Sequence, residues 1–185
     1  ARKEQDTGKK VRGKTPQPPP AGPTETDQVN LNDKESRIML TSGGGFEQAH
    51  NVQAGVDTET MLIVTTHVTQ APNDKKEMEP ALNNLRQLPK EIGTVTDILA
   101  DNGYFSEDNV MLCEENKLTS YIAVNREKHH PPIMDRFQEP PPLPNDANAV
   151  DTLKHRLKTQ LGKAVYARRK STIEPAFGII KSVMG

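Results

Sequence analysis

At 185 residues the chain has room for one medium domain and an appendage. Only 33% of its residues are apolar and 26% are charged, with a mean hydropathy of −0.73. The longest strongly apolar run, Met61 to Val64, is far too short for a membrane span, and a single cysteine, Cys113, rules out an intrachain disulfide or a thiolate metal cluster. The formal net charge of −1 points to no polyanionic partner by itself, so the distribution of charge matters more than its sum.

The chain starts at Ala1 without a methionine and stops at Gly185 directly after an apolar-periodic segment, and it reads as a piece of a longer protein. Residues 1–30 join a basic patch to a proline run, five of the 15 prolines lying between Pro16 and Pro23. Such a segment buries too little to offset its ordering entropy and is expected to be a disordered linker. The alternating pattern from 51 to 57 predicts a strand with Val52, Ala54 and Val56 on one face and Asn51, Gln53 and Asp57 on the other. A turn at Asp57-Thr58-Glu59-Thr60 leads to a second, β-branched strand from Met61 to Thr69. A helix follows, with Met78, Leu82, Leu85 and Leu88 near a 3.6 period and Pro80 in its first turn.

Thr94 to Ala100 is the next expected strand, then a helix N-capped by Ser106, then a strand in "SYIAVN". This β-β-α-β-α-β order with helical crossovers predicts that the last strands are parallel and central. Residues 128–147 form a proline-rich excursion, six prolines falling between Pro131 and Pro144. Val150, Leu153, Leu157 and Leu161 then make a helical stripe stopped by Gly162, and Ile173, Phe177, Ile180 and Met184 share one face of a last helix.

Three acids stand out by position: Asp57 and Asp101 at strand ends, where ligands of α/β sheets gather, and Glu174 at the edge of an apolar helical face. Phosphoryl transfer on a nucleic acid needs divalent cations held by carboxylates, and hard oxygen ligands suit Mg²⁺, with Mn²⁺ as a substitute. Each acid has an equally good structural reading. Asp57 and Asp101 fit turn positions, and Ser171-Thr172-Ile173-Glu174 fits a capping box. Between Thr152 and Ile173 there are seven Lys or Arg (154, 156, 158, 163, 168, 169 and 170) and no acid, which suits a phosphate backbone better than a solvated face of mixed sign. His129 and His130 lack the i, i+4 spacing of a helical metal site, and Gly43 to Gly45 lack the lysine and helix of a phosphate loop.

The stretches "ESRIMLTSGGGFEQAHNVQAGVDTETMLIV", "ADNGYFSEDNV", "IAVNREKHHPP" and "YARRKSTIEPAFGIIKSVMG" resemble the DDE-type transposases of bacterial insertion sequences, in the group sharing a tyrosine–arginine–glutamate–lysine signature. The resemblance runs from about Asn30 to Gly185. It implies an α/β fold, a ribonuclease H-like mixed sheet flanked by helices and incomplete at its C-terminal end, over residues 31–185. It also implies metal-dependent cleavage and strand transfer of DNA, with Asp57, Asp101 and Glu174 as the acids that hold Mg²⁺ or Mn²⁺. Tyr166, Arg169, Glu174 and Lys181 fall on the signature. Four residues rather than the usual three separate Arg169 from Glu174, which leaves Arg168 and Lys170 as alternatives for the DNA-binding arginine. The implied partners are transposon-end and target DNA and further copies of the chain on that DNA, with no membrane, in the bacterial cytoplasm at the nucleoid. A non-catalytic DNA-binding remnant and a purely hydrolytic nuclease are the alternative readings.

Overall fold

The structure is a computed structural model that describes Gly22, Glu25 and residues 30–41, 44–124 and 137–183. The linker expectation for 1–30, apart from Gly22, Glu25 and Asn30, lies outside the described residues. So do Gly43, residues 128–136 of the excursion with His129 and His130, and Met184. The chain divides into two units, Ala1–Lys34 and Glu35–Gly185.

The second unit is mixed α/β. Strands β1 (Arg37–Leu40) and β2 (Phe46–Ala49) form an antiparallel hairpin, and β3 (Asn51–Val56) and β4 (Ile63–Thr69) form another, with a register shift at Gly55/Val56. Helix α1 (Met78–Arg86) leads to β5 (Asp97–Ala100), and α2 (Glu107–Glu115) leads to β6 (Thr119–Ile122), which pairs parallel to β5. Helices α3 (Ala149–Lys158) and α4 (Gln160–Val183) complete the chain, α4 lying against β3, β5 and β6. Among the described residues the six strands form three separate two-stranded pairs, so β5 and β6 are parallel as expected but are not the central strands of a larger sheet.

Local chemistry explains the boundaries. Ser106 caps α2, its hydroxyl accepting from the N–H of Asn109, and Pro80 sits in the first turn of α1, where its missing N–H costs no helical bond. Strand β4 starts at Ile63 rather than Met61 because Met61 takes a left-handed backbone, φ 62°. The core gathers Met78, Leu82, Ala100, Val110, Cys113, Ile122 and Leu153, which joins α1, β5, α2, β6 and α3 into one apolar centre. Burial pushes the Cys113 thiol up to about 11, with Glu114 adding to it, so at neutral pH it is a core side chain and no thiolate.

In β3 Gln53 is buried while Val52 is half exposed, because the Gln53 carboxamide finds hydrogen-bond partners on both ends. A further expectation is corrected here. Gly162 does not stop α3 but lies in the first turn of α4. The chain kinks at Thr159, whose extended backbone ends α3 and whose hydroxyl accepts from the Gly162 N–H. A Cβ on Gly162 would overlap the carbonyl of Arg156, so close approach is what requires glycine. Gly162→Ala is expected to cost about 1–3 kcal/mol of stability by overpacking. Urea unfolding measures it, and an unchanged midpoint would contradict the tight corner.

Candidate active site

The last residue of β5, Ala100, is buried, and the chain leaves the sheet at Asp101 in an extended conformation. Asp101 opens a 3-10 turn, Asn102–Tyr104, and its Oδ1 accepts from the Gly103 N–H at 2.9 Å. Asn102 donates its side-chain N–H to the carbonyls of Ala123 (3.1 Å) and Val124 (2.8 Å), which ties the turn to the residues just after β6. Asp101 therefore stands at the carboxyl end of the parallel pair, where strand geometry leaves room for a ligand.

Helix α4 supplies the opposite wall. Arg169, Ile173, Phe177 and Lys181 recur every four residues along one stripe, and Glu174 and Gly178 lie beside it. These six residues and Asp101 line an open cleft of about 430 Å³. The cleft thus joins two carboxylates and two cations above a partly apolar floor. The Arg169 guanidinium lies 5.8 Å from the Tyr166 ring centroid, and its buried Nε has no hydrogen-bond partner among the described residues.

Asp57 does not line this cleft. Its Oδ2 accepts from the N–H of Thr60 at 2.8 Å and from the Thr60 hydroxyl at 2.6 Å, so the turn reading accounts for its carboxylate. Those bonds, the hydroxyl first and then the backbone N–H, hold its pKa below the usual carboxylate range. A depressed folded-state pKa contributes stability that is present above the unfolded value of 3.8 and is lost as pH falls through the folded one. Asp57→Asn is therefore expected to flatten the loss of stability on acidification from about pH 5 to about pH 2, and Thr60→Val to do the same in part. Denaturant unfolding across that range checks it. Parallel curves for wild type and Asp57→Asn would contradict the turn bonds.

The capping-box reading of Glu174 is overturned. Helix α4 is continuous from Gln160, and Ser171 and Thr172 are mid-helix, both hydroxyls donating back to the Arg168 carbonyl at 3.0 and 2.6 Å. Pro175, also inside α4, mimics a helix start in sequence, but packing of Thr172 and its neighbours overrides that signal. Glu174 is left exposed on the cleft wall with no capping duty.

The basic run divides by function. Arg156 donates to the Ser120 carbonyl at 2.8 Å and lies 5.7 Å from the Tyr121 ring centroid, so it braces β6. Lys154 lies 3.6 Å from Asp151 at the surface. Arg168 and Lys170 are exposed and do not line the cleft, whereas Arg169 does. Among the described residues no three His, Cys, Asp or Glu side chains stand close enough together to hold a metal ion. The donors that do face the cleft, Asp101 and Glu174, nonetheless fit Mg²⁺, which is commonly held by one or two carboxylates with waters and substrate phosphates.

The sequence patterns singled out neither Gln53 nor Asp74 nor Tyr104 as a contributor, yet their side chains bond to one another next to the Asp101 turn. The signal available in sequence was a glutamine inside a strand and an aromatic directly behind Asp-Asn-Gly. Burial and the nearby charges of Asp74, Asp101 and Glu77 push the Tyr104 hydroxyl well above the ordinary tyrosine range, so it remains a donor.

Acids and cations in one cleft at the end of a parallel strand define a site suited to a phosphodiester and its counterions. The family profile described as "Transposase DDE domain" matches residues 19–185, and the chain belongs to that family of DNA-acting polynucleotidyl transferases. Comparison with curated proteins and with solved structures finds no match.

Proposed function

We propose that the chain is the catalytic core of a bacterial insertion-sequence transposase, which cleaves DNA at the element's ends and joins the freed 3′-hydroxyl to a target. The observation that carries this reading is the meeting of Asp101, Glu174, Arg169 and Lys181 in one cleft. A ribonuclease H-like core over residues 31–185, behind a linker of residues 1–30, accommodates the antiparallel hairpin, the parallel β5–β6 pair and the helix laid across them.

In this reading Asp101 and Glu174 hold a divalent ion, Mg²⁺ or Mn²⁺. Bound there, the ion polarises the phosphate and makes the attacking water or hydroxyl more acidic. Arg169 and Lys181 hold non-bridging phosphate oxygens, with Tyr166 stacked beneath the Arg169 guanidinium. Asn102 keeps the Asp101 turn against the end of β6. Asp57 is the third acid of the set, and its Oδ2 bonds the Thr60 N–H and hydroxyl. Arg169, rather than Arg168 or Lys170, fills the signature position, since it alone of the three lines the cleft. Two copies bridging two element ends would act together, at the nucleoid in the cytoplasm. No helix among the described residues is long and apolar enough to cross a membrane.

Arg169→Ala and Lys181→Ala are expected to weaken DNA binding alike across sequences and to reduce the slope of log K against log[salt] by about one each, while Arg168→Ala and Lys170→Ala do less. Fluorescence titration over a salt series measures this. A changed sequence preference with an intact slope would contradict phosphate contact.

The reading itself is tested with a duplex carrying the element's end, pre-cut to expose its 3′-hydroxyl, incubated with plasmid and Mg²⁺. Joined product that disappears with EDTA supports it. Nicking without joining would favour a hydrolytic nuclease, and retarded DNA without either product would favour a binding remnant.

A further inference from the structure

Tyr104 closes the 3-10 turn that Asp101 opens, and its hydroxyl donates to Oε1 of Gln53, a glutamine 6% exposed in the middle of β3. The other end of that carboxamide donates to Oδ1 of Asp74 at 2.8 Å and to Oδ1 of Asn51 at 2.7 Å, and Asn51 in turn donates to Asp74 at 2.8 Å. The second oxygen of Asp74 faces the turn. A Cβ added to Gly103 would stand 2.9 Å from Asp74 Oδ2 and 3.0 Å from Asp101 Oδ1, so the two carboxylates flank one backbone position that only glycine leaves open. From the opposite side the buried Asn109 donates to the carbonyls of Tyr104 at 2.6 Å and Lys75 at 2.8 Å.

Of these side chains only Asp101 lines the cleft; Asn51, Gln53, Asp74, Tyr104 and Asn109 do not. Apolar residues of similar size would serve packing without the desolvation cost of the buried Gln53 amide beside a partly buried carboxylate. What the polar set adds is direction: the Tyr104 hydroxyl ties the turn to β3, Asn109 ties it to α2, Asp74 holds Gln53 from its other end, and a satisfied network holds one geometry. Reactive groups need such support, because loss of an outer partner moves the group that does the work.

We infer that Gln53, Asp74 and Tyr104 form a positioning relay that fixes the 101–104 turn and thereby sets where Asp101 presents its carboxylate to the cleft. The relay rests on the reading of Asp101 as an ion-holding residue and acts only through it.

The test uses the full chain, Tyr104→Phe, which removes one hydroxyl, and Gln53→Leu, which removes the carboxamide at nearly constant volume. Amide exchange by NMR reports the Gly103 N–H that bonds to Asp101, and paramagnetic broadening by Mn²⁺ reports ion binding at residues 101–104. In both variants Gly103 exchange is expected to rise about fivefold to tenfold, the worth of one hydrogen bond, while the β3–β4 ladder keeps its wild-type rates. The Mn²⁺ concentration for half-broadening should rise by a similar factor, a change that a purely structural contact does not produce. Unchanged Gly103 exchange in both variants, or equal acceleration along the β3–β4 ladder, would overturn the relay. If wild type shows no Mn²⁺ broadening, the ion-holding role of Asp101 fails, and Gly103 exchange alone then decides whether the relay holds the turn.

Discussion

Asp101→Asn and Glu174→Gln are each expected to reduce divalent-ion-dependent DNA cleavage by at least about a hundredfold, because loss of an outer-shell partner alone typically costs about ten- to a hundredfold and these residues face the cleft directly. Both substitutions keep size and hydrogen bonding while removing the charge that binds the cation. Asp101→Asn retains an oxygen to accept from the Gly103 N–H, so its effect on stability should be small. Glu174 is exposed on α4 and caps nothing, so Glu174→Gln should also unfold at the wild-type denaturant concentration. Activity loss without stability loss is the expected signature. A Glu174→Gln chain that cleaves at the wild-type rate would remove that residue from the site.

The largest effect on folding is expected from Leu153→Ala. Leu153 is fully buried where α3 meets α2 and β6, in the same cluster as Val110, Cys113 and Ile122. Truncating such a leucine removes its transfer free energy and leaves a cavity, together about 2–5 kcal/mol. At this chain length that lowers the melting temperature by roughly 5–15 °C. Leu161→Ala is the control, since Leu161 is 72% exposed despite continuing the same sequence stripe, and it should shift unfolding little. Equal shifts in the two variants would contradict the kink at Thr159 that turns Leu161 outward.

That comparison also marks how much could be read from sequence. Periodicity and capping identified the β3–β4 hairpin, α1, α2 with its Ser106 cap, and the parallel β5–β6 pair, because each is set by local signals that tertiary packing reinforces. The β1–β2 hairpin went unread because Ile38, Leu40 and Phe46 stay largely exposed, so no alternation of apolar and polar residues marks it. Which residue of β3 is buried was not legible, since hydrogen bonding by Gln53, invisible to a hydrophobicity pattern, draws that side chain inward. At the site, position in the elements singled out Asp101 and Glu174, and the family resemblance singled out Arg169 and Lys181, and the structure brings all four to one cleft. Asp57 shared the strand-end signal with Asp101, but Asp101 lines the cleft whereas Asp57 bonds Thr60 and does not.

The claim that a divalent ion sits between Asp101 and Glu174 can be mapped directly by replacing Mg²⁺ with Fe²⁺ and supplying ascorbate and peroxide, so that hydroxyl radicals formed at the ion cut the nearest backbone. Cuts are predicted beside Asp101 and beside Glu174, competed away by excess Mg²⁺ and absent from Asp101→Asn. Cuts confined to the turn around Asp57 and Thr60, with none near Asp101 or Glu174, would contradict the account.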